Sequence, residues 1–179
     1  NWAYKPICEN CNECIPIRVE SEHFVINGNF KRCIKKNNYV KRKILDCIAL
    51  KSHYKIFSNY QKSRHFNSDM SKMNFYNYKD MIENSPVNSF LSEYSLYGEV
   101  IGVMLIDVQE NGLSSVYSFY DVNKENMSIG KYMIIDAIKL SKEMKLKYLY
   151  LGYSIKENIK MSYKLNFKPH QKYLDGNWI

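Results

Sequence analysis

"EVIGVMLIDVQENGLSSVYSFYD", residues 99–121, is the stretch on which the fold turns. "EVIGVMLIDV" and "LSSVYSFY" are rich in β-branched and aromatic residues, the composition of buried strands. Between them stands Asn111-Gly112, the strongest short signal for a tight hairpin, so an antiparallel pair is expected here. Downstream, Ile129, Met133, Ala137, Leu140 and Met144 recur at three- and four-residue steps, which predicts a helix with Ser128 as its N-cap. "KYLYLGY" (147–153) reads as a buried strand. Residues 157–165 read as a last short helix, ending before Phe167 and Pro169.

Upstream the pattern is weaker. Residues 1–36 read as loop-like, with Pro6, Pro16, Gly28 and three cysteines among short apolar runs such as "IPIRV". "KRCIKKNNYVKRK" (31–43) carries Lys31, Arg32, Lys35, Lys36, Lys41, Arg42 and Lys43 with no acid between them, and "ILDCIAL" (44–50) reads as a strand. "SHYKIFSNYQKSRH" (52–65), with Ser52 as cap and Tyr54, Phe57 and Tyr60 on one face, predicts a helix. A second helix is expected from Phe75 to Ile82, before Pro86.

The 179 residues suit one well-packed domain with a small appendage, divided as 1–36 and 37–179. The formal charge of +8 favours a polyanionic partner, nucleic acid ahead of anionic lipid. No apolar run reaches the roughly 18 residues that a membrane helix needs, so a cytoplasmic protein without a membrane partner is expected. The chain opens on Asn1 in place of a methionine, which reads as a cut end.

Hairpin, helix, strand, helix is the order of elements in the GNAT acyltransferase core, and an α/β (α+β) GNAT-like acyltransferase fold is the expectation. Three segments sharpen it. "YKPICENCNECIPIRV", "NGLSSVYSFYD" and "YLYLGYSIKENIKMSYKLNFKP" resemble, in that order, the bacterial-type aminoacyl-tRNA–protein transferases, namely the aspartate/glutamate leucyltransferases and their arginyltransferase relatives. The likeness runs from Tyr4 onward. It implies transfer of leucine or arginine from charged tRNA to the N-terminal Asp or Glu of a protein, which marks that protein for degradation. Family members carry further residues ahead of Tyr4. Ser154 stands where the family commonly has tryptophan, and Cys33 where its basic run has serine.

The residues fit such a reaction. An aminoacyl ester is an activated acyl donor, and an α-amine with a reference pKa of about 7.7–8.0 is already partly nucleophilic at neutral pH. Alignment and oxyanion stabilisation then carry most of the catalysis. Asp121 is the candidate to hold or deprotonate the amine, with Tyr120 and Tyr150 as hydroxyl donors; Asp121 also reads as a turn-forming aspartate that closes a strand. The acidic acceptor calls for a cation, and Arg18, Arg64, Lys160 and Lys164 are candidates, with Tyr153 and Tyr163 beside them as further substrate contacts. Lys31, Arg32, Lys35 and Lys36 are the expected phosphate contacts to tRNA. Sparse acids near these motifs favour leucine over arginine as the transferred residue.

Cys8, Cys11 and Cys14 supply three thiols at two-residue gaps. A closed zinc site wants a fourth ligand, from Cys33, Cys47 or His23, and an iron–sulfur run would want a cysteine where Arg18 stands. The reaction itself requires no cofactor, so zinc or iron–sulfur at this cluster stands beside three reduced thiols as an open alternative. Two other functions remain at this point. An acetyl-coenzyme A-dependent N-acetyltransferase would want a glycine-rich turn at a helix start, where "MSIGKY" offers Gly130 alone. A non-catalytic, zinc-stabilised RNA-binding module would use only the cysteines and the basic run.

Overall fold

The structure is a computed structural model, and it describes residue 9 and residues 11–179, apart from the side chains of Glu125 and Lys160. It is a mixed α/β fold built on one twisted sheet. Its strands are β1 (Ile15–Glu20), β2 (Val40–Leu45), β3 (Ser89–Leu96), β4 (Glu99–Gln109), β5 (Gly112–Tyr120), β6 (Tyr148–Ser154), β7 (His170–Leu174) and β8 (Asn177–Trp178). They lie in the order β2-β3-β4-β5-β6-β1-β7-β8. Every neighbouring pair whose register is defined is antiparallel except β5 and β6, which run parallel.

The helices are α1 (Gly28–Lys36), α2 (Lys51–Arg64), α3 (Phe75–Glu83), α4 (Ile129–Glu143) and the single turn α5 (Ile159–Ser162). One face of the sheet packs against α1 and α4 through Phe30, Ile101, Met104, Met133, Ala137 and Leu149. The other packs against α2 and α3 through Phe57, Tyr78, Ile82, Leu91, Leu105 and Phe119. Apolar periods on α4 and α3 thus become two cores, each closed by one sheet face.

Several local expectations change. The first 36 residues are not loop-like throughout: β1 is an interior strand between β6 and β7, and α1 is a helix capped by the Asn27 side chain. The strand after the basic run is Val40–Leu45, earlier than "ILDCIAL". Leu50, not Ser52, is the N-cap of α2. Ser128 sits in the left-handed region and makes no side-chain cap bond to α4. The expected helix over 157–165 is shorter, one turn of α5 followed by a 3-10 turn at Tyr163–Asn166.

The Asn111-Gly112 hairpin forms as expected, but its glycine serves the neighbouring strand. A Cβ on Gly112 would stand 2.5 Å from the Tyr148 carbonyl oxygen and 2.8 Å from the Tyr150 ring. Bare backbone there is what lets β6 pair with β5. Arg42, part of the uninterrupted basic run in sequence, turns inward to Asp136 (3.0 Å) and Glu143 (3.1 Å), while the Tyr94 hydroxyl donates to the same Asp136 carboxylate at 3.1 Å.

Candidate active site

The parallel pair β5–β6 is joined only at Gly112–Ser114 against Tyr148–Tyr150. Beyond Ser114 the strands part, and the fork opens at their C-terminal ends, where open α/β sheets bind ligands. A cleft of about 800 Å³ fills it. Its walls are the outer halves of β5 and β6, the end of α2, the start of α4, and the turn that holds Tyr163 and Lys164. A Cβ on Gly130 would stand 2.9 Å from the Tyr120 ring, so glycine is what allows the start of α4 to close over that ring.

The cleft is cationic and phenolic. Arg64, Lys131 and Lys164 line it, together with Tyr60, Tyr117, Tyr120, Tyr153 and Tyr163, and no carboxylate is among the described residues that line it. Lys164 donates from Nζ to the Tyr153 carbonyl at 2.7 Å, and burial lowers its pKa to about 8. At neutral pH that amine is poised to exchange a proton. Burial raises the Tyr60 phenol, with Tyr120 and Tyr117 adding to the effect, and raises Tyr117 against the opposing hydrogen bond from Gln61. Both phenols therefore stay neutral and can donate.

Tyr117 did not stand out in the sequence. Gln61, on the buried face of α2, donates from Nε2 to the Tyr117 hydroxyl oxygen at 2.6 Å. The phenolic oxygen is used as an acceptor, and its own proton is left for whatever occupies the cleft. Gln61 follows His53 and Phe57 at four-residue steps on the buried face of α2, but nothing in the sequence links it to Tyr117.

Of the sequence candidates, the cleft brings together Tyr120, Arg64, Tyr153, Tyr163 and Lys164. Asp121 follows Tyr120 but does not line the cleft; its Oδ1 accepts from the Asn123 backbone (3.0 Å) and side chain (2.9 Å), a turn that starts the segment leading to α4. Arg18 and Tyr150 lie elsewhere. The Arg18 guanidinium is 3.6 Å from the Tyr148 ring centroid and 4.3 Å from that of Trp178, and it donates to Gln171 (2.8 Å) and to the Tyr150 hydroxyl (3.1 Å). The Tyr150 hydroxyl donates to Asn111 Oδ1 at 2.9 Å, and Tyr150 borders a second cleft of about 490 Å³, which shares Gly152 and Tyr153 with the first. Lys160 lies in α5, its side chain outside the described residues.

Lys31, Arg32, Lys35 and Lys36 project from α1 into solvent, and Lys36 reaches the Asn126 carbonyl at 3.1 Å, two residues ahead of the cleft rim at Ser128. Cys8 lies outside the described residues. Cys11 is exposed and Cys14 half-buried, and among the described residues no group of three or more His, Cys, Asp or Glu could hold a metal ion. The suggested fourth ligands are engaged elsewhere. Cys33 is buried, its thiol raised by burial and directed to the Ser128 carbonyl at 3.7 Å, and His23 pairs with Glu20 at 3.1 Å. Burial, then Asp107 and Asp46, raise Cys47 as well, which disfavours the thiolate that a metal needs. Among the described residues no helix is long and apolar enough to cross a membrane.

Comparison with known proteins gives a consistent result. A family model described as "Arginine-tRNA-protein transferase, C terminus" matches residues 52–174. The aspartate/glutamate leucyltransferase of Paramagnetospirillum magneticum is 35% identical over 98% of this chain and 72% of its own length. That of Gluconacetobacter diazotrophicus is 36% identical over 98% of this chain and 68% of its own, and that of Thiobacillus denitrificans 37% over 99% and 74%. Among solved structures, L-PGS from Bacillus licheniformis superposes with a TM-score of 0.58 at 16% identity, over 82% of this chain and 46% of that one. The C-terminal domain of a protein assigned as a lysylphosphatidylglycerol synthetase from Agrobacterium fabrum gives 0.57 at 9% identity, over 79% of this chain and 46% of that one.

Proposed function

The chain belongs to the arginine-tRNA-protein transferase family, and from that premise we propose that it transfers an aminoacyl group, leucine in preference to arginine, from tRNA to the N-terminal amine of proteins beginning with Asp or Glu. The observation that carries this is the cleft at the β5–β6 fork, lined by three cations and five phenols and, among the described residues, by no acid. Both substrates bring negative charge: phosphates on the tRNA, a carboxylate on the acceptor. A cleft of this sign attracts each of them and leaves an arginyl side chain without a counter-ion.

In the reaction the acceptor's α-nitrogen attacks the ester carbonyl carbon. The new C–N bond forms, the carbonyl oxygen takes the electron pair, and the tetrahedral intermediate collapses by breaking the C–O bond to the terminal ribose. The proton lost by the nitrogen ends on that ribose oxygen. Tyr117, its oxygen held by Gln61, is placed to donate to the oxyanion, the kind of contact that accounts for a large share of acyl-transfer catalysis. Lys164 is the group able to relay the proton, since its amine exists in both charge states near pH 8. Arg64 and Lys131 are assigned to the acceptor carboxylate and the tRNA end. Asp121 is assigned a positioning role, through the turn that it sets ahead of α4. The parallel fork with α4 beside it supports reading the core as GNAT-like, and a reaction that consumes charged tRNA supports the cytosol as its compartment.

Incubation with charged tRNA and a peptide beginning with Asp, followed by mass spectrometry, tests this reading. A leucine-sized extension of the Asp peptide, with little on a peptide beginning with Ala, is the expected result. Acetylation from acetyl-coenzyme A without aminoacyl transfer would refute it.

A further inference from the structure

Tyr39 and Tyr97 form an exposed aromatic pair outside the cleft, 61% and 81% exposed, with ring centroids 5.7 Å apart. Neither ring belongs to the two cores. Tyr97 moreover occupies the first central position of the β3–β4 hairpin with φ 51°, followed by Gly98 at φ 87°. Asparagine or aspartate tolerates that left-handed conformation; a bulky aromatic residue is strained by it. A large apolar ring held in a costly conformation, in water and without core packing, points to a use outside folding.

Its surroundings say which use. β2, β3 and β4 present Tyr39 and the Tyr97-Gly98 turn at the end of the sheet where β5 gives way to the segment before α4: Val40 pairs with Leu96, Leu96 with Glu99, and Gly102 with Tyr120. The cleft opens at that same end. With strands about 4.8 Å apart, the β3–β4 turn and the start of β2 stand one to three strand steps from β5, a sideways offset of roughly 5–14 Å from the fork. The turn that carries Tyr39 is fixed to the cleft rim. Buried Asn37 donates to the Cys33 carbonyl (2.8 Å) and the Met127 carbonyl (2.7 Å), and Met127 adjoins Ser128 in the cleft wall. Cations accompany the path. Lys35, Lys36 and Lys41 are exposed, Lys36 rests on Asn126, and Lys124 holds Glu99, the carboxylate beside the turn, at 3.8 Å.

We propose that Tyr39 and Tyr97 form a stacking platform for unpaired bases of the tRNA whose charged end enters the cleft. The proposal rests on the transferase reading. Aromatic faces beside lysines are what single-stranded nucleic acid binds without regard to sequence, the rings taking bases and the cations taking phosphates. An acidic peptide would use the lysines and gain little from the rings.

Tyr97→Asn is the informative change, because asparagine suits the left-handed position and removes only the ring. Fluorescence anisotropy with uncharged tRNA across a salt series should show affinity reduced about 5- to 100-fold, as expected for one lost stacking contact. The dependence on salt should keep its slope, since a ring releases no counter-ions. Thermal stability should be unchanged or higher. Tyr97→Phe should bind as the unaltered protein does, and Tyr39→Ser should resemble Tyr97→Asn. Unchanged affinity in both Tyr97→Asn and Tyr39→Ser would overturn the platform while leaving the transferase reading intact. So would a defect confined to KM for the acceptor peptide, which would assign the pair to the peptide. Failure of the unaltered protein to bind any tRNA would remove the transferase reading and the platform with it.

Discussion

Replacing Lys164 by methionine should make the protein more stable at pH 7 and less active, and the stability gain should disappear in alkali. The amine is held among apolar and phenolic side chains, with its pKa lowered from 10.5 to about 8. A lysine depressed in the folded state imposes its full penalty below the folded pKa, where it is charged in both states, and the penalty vanishes as pH rises through 8 toward the unfolded value. At about 1.36 kcal/mol per pH unit, the penalty is about 3 kcal/mol at pH 7 and under about 1 kcal/mol at pH 10. Against the gain stands the hydrogen bond to the Tyr153 carbonyl, 2.7 Å long, whose loss costs about 1–2 kcal/mol. The balance for Lys164→Met is about +1 to +2 kcal/mol at pH 7, a rise in Tm of roughly 3–6 °C for a chain of this size. At pH 10 it is neutral or negative. Differential scanning fluorimetry at the two pH values reads the change of sign, and turnover with charged tRNA reads the loss of the proton relay. A Tm difference that is the same at pH 7 and pH 10, or a destabilised variant at pH 7, would refute the assignment of a depressed amine.

Other outcomes follow from the same geometry. Tyr117→Phe removes the donor that Gln61 orients and should lower kcat about 10²-fold while leaving tRNA affinity within twofold, read by single-turnover kinetics. Lys35→Glu with Lys36→Glu should weaken tRNA binding and flatten its salt dependence by about two counter-ions, in contrast to the ring substitutions. Asp136→Ala leaves Arg42 and Tyr94 without their shared partner and should cost about 2–3 kcal/mol in urea unfolding, with little change in KM. Asp121→Asn keeps an oxygen for the Asn123 hydrogen bonds, so turnover should stay within about threefold; a drop of two orders of magnitude would return the carboxylate to the chemistry.

Where local pattern and tertiary role coincide, the sequence was readable. The Asn111-Gly112 hairpin, the long period of α4 and the helix ahead of Pro86 all form within a few residues of where pattern puts them. Segments whose burial comes from distant partners were not readable. "IPIRVE" is too short to announce an interior strand, and it becomes one through β6 and β7 far along the chain. "GNFKRCIKK" buries only Phe30 and Cys33, so its helix looks like part of a charged run. Asp175-Gly176 is a hairpin signal of the same kind as Asn111-Gly112, and it joins β7 to β8, but the flanking strands are short. In the site, the strand "YLYLGYS" looks like a single aromatic unit in the sequence. Strand alternation divides it: Leu149 and Leu151 go under α4, and Tyr148 and Tyr150 go to the opposite face with Arg18 and Trp178. Hence Tyr150 and Arg18 left the expected constellation while Tyr120, Arg64 and Lys164 stayed in it. Gln61 and Tyr117 could not be paired from sequence, because 56 positions separate them.

The place of β1 in the middle of the sheet has a consequence for synthesis. Ser154 reaches back across 139 positions to hydrogen-bond Ile15, and Arg18 bonds to Gln171 across 153. At about 5–20 residues per second, β1 leaves the ribosome roughly 7–30 s before its partner β6 exists. In that interval β2 to β5, with the helices on them, can assemble from near neighbours, while the first strand waits with both edges unpaired. One wall of the cleft would then form early and the other only after the last strands emerge. The second wall of the cleft therefore waits for β6 to meet β1, and until then β1 is an unpaired strand open to a chaperone or to a misplaced neighbouring strand.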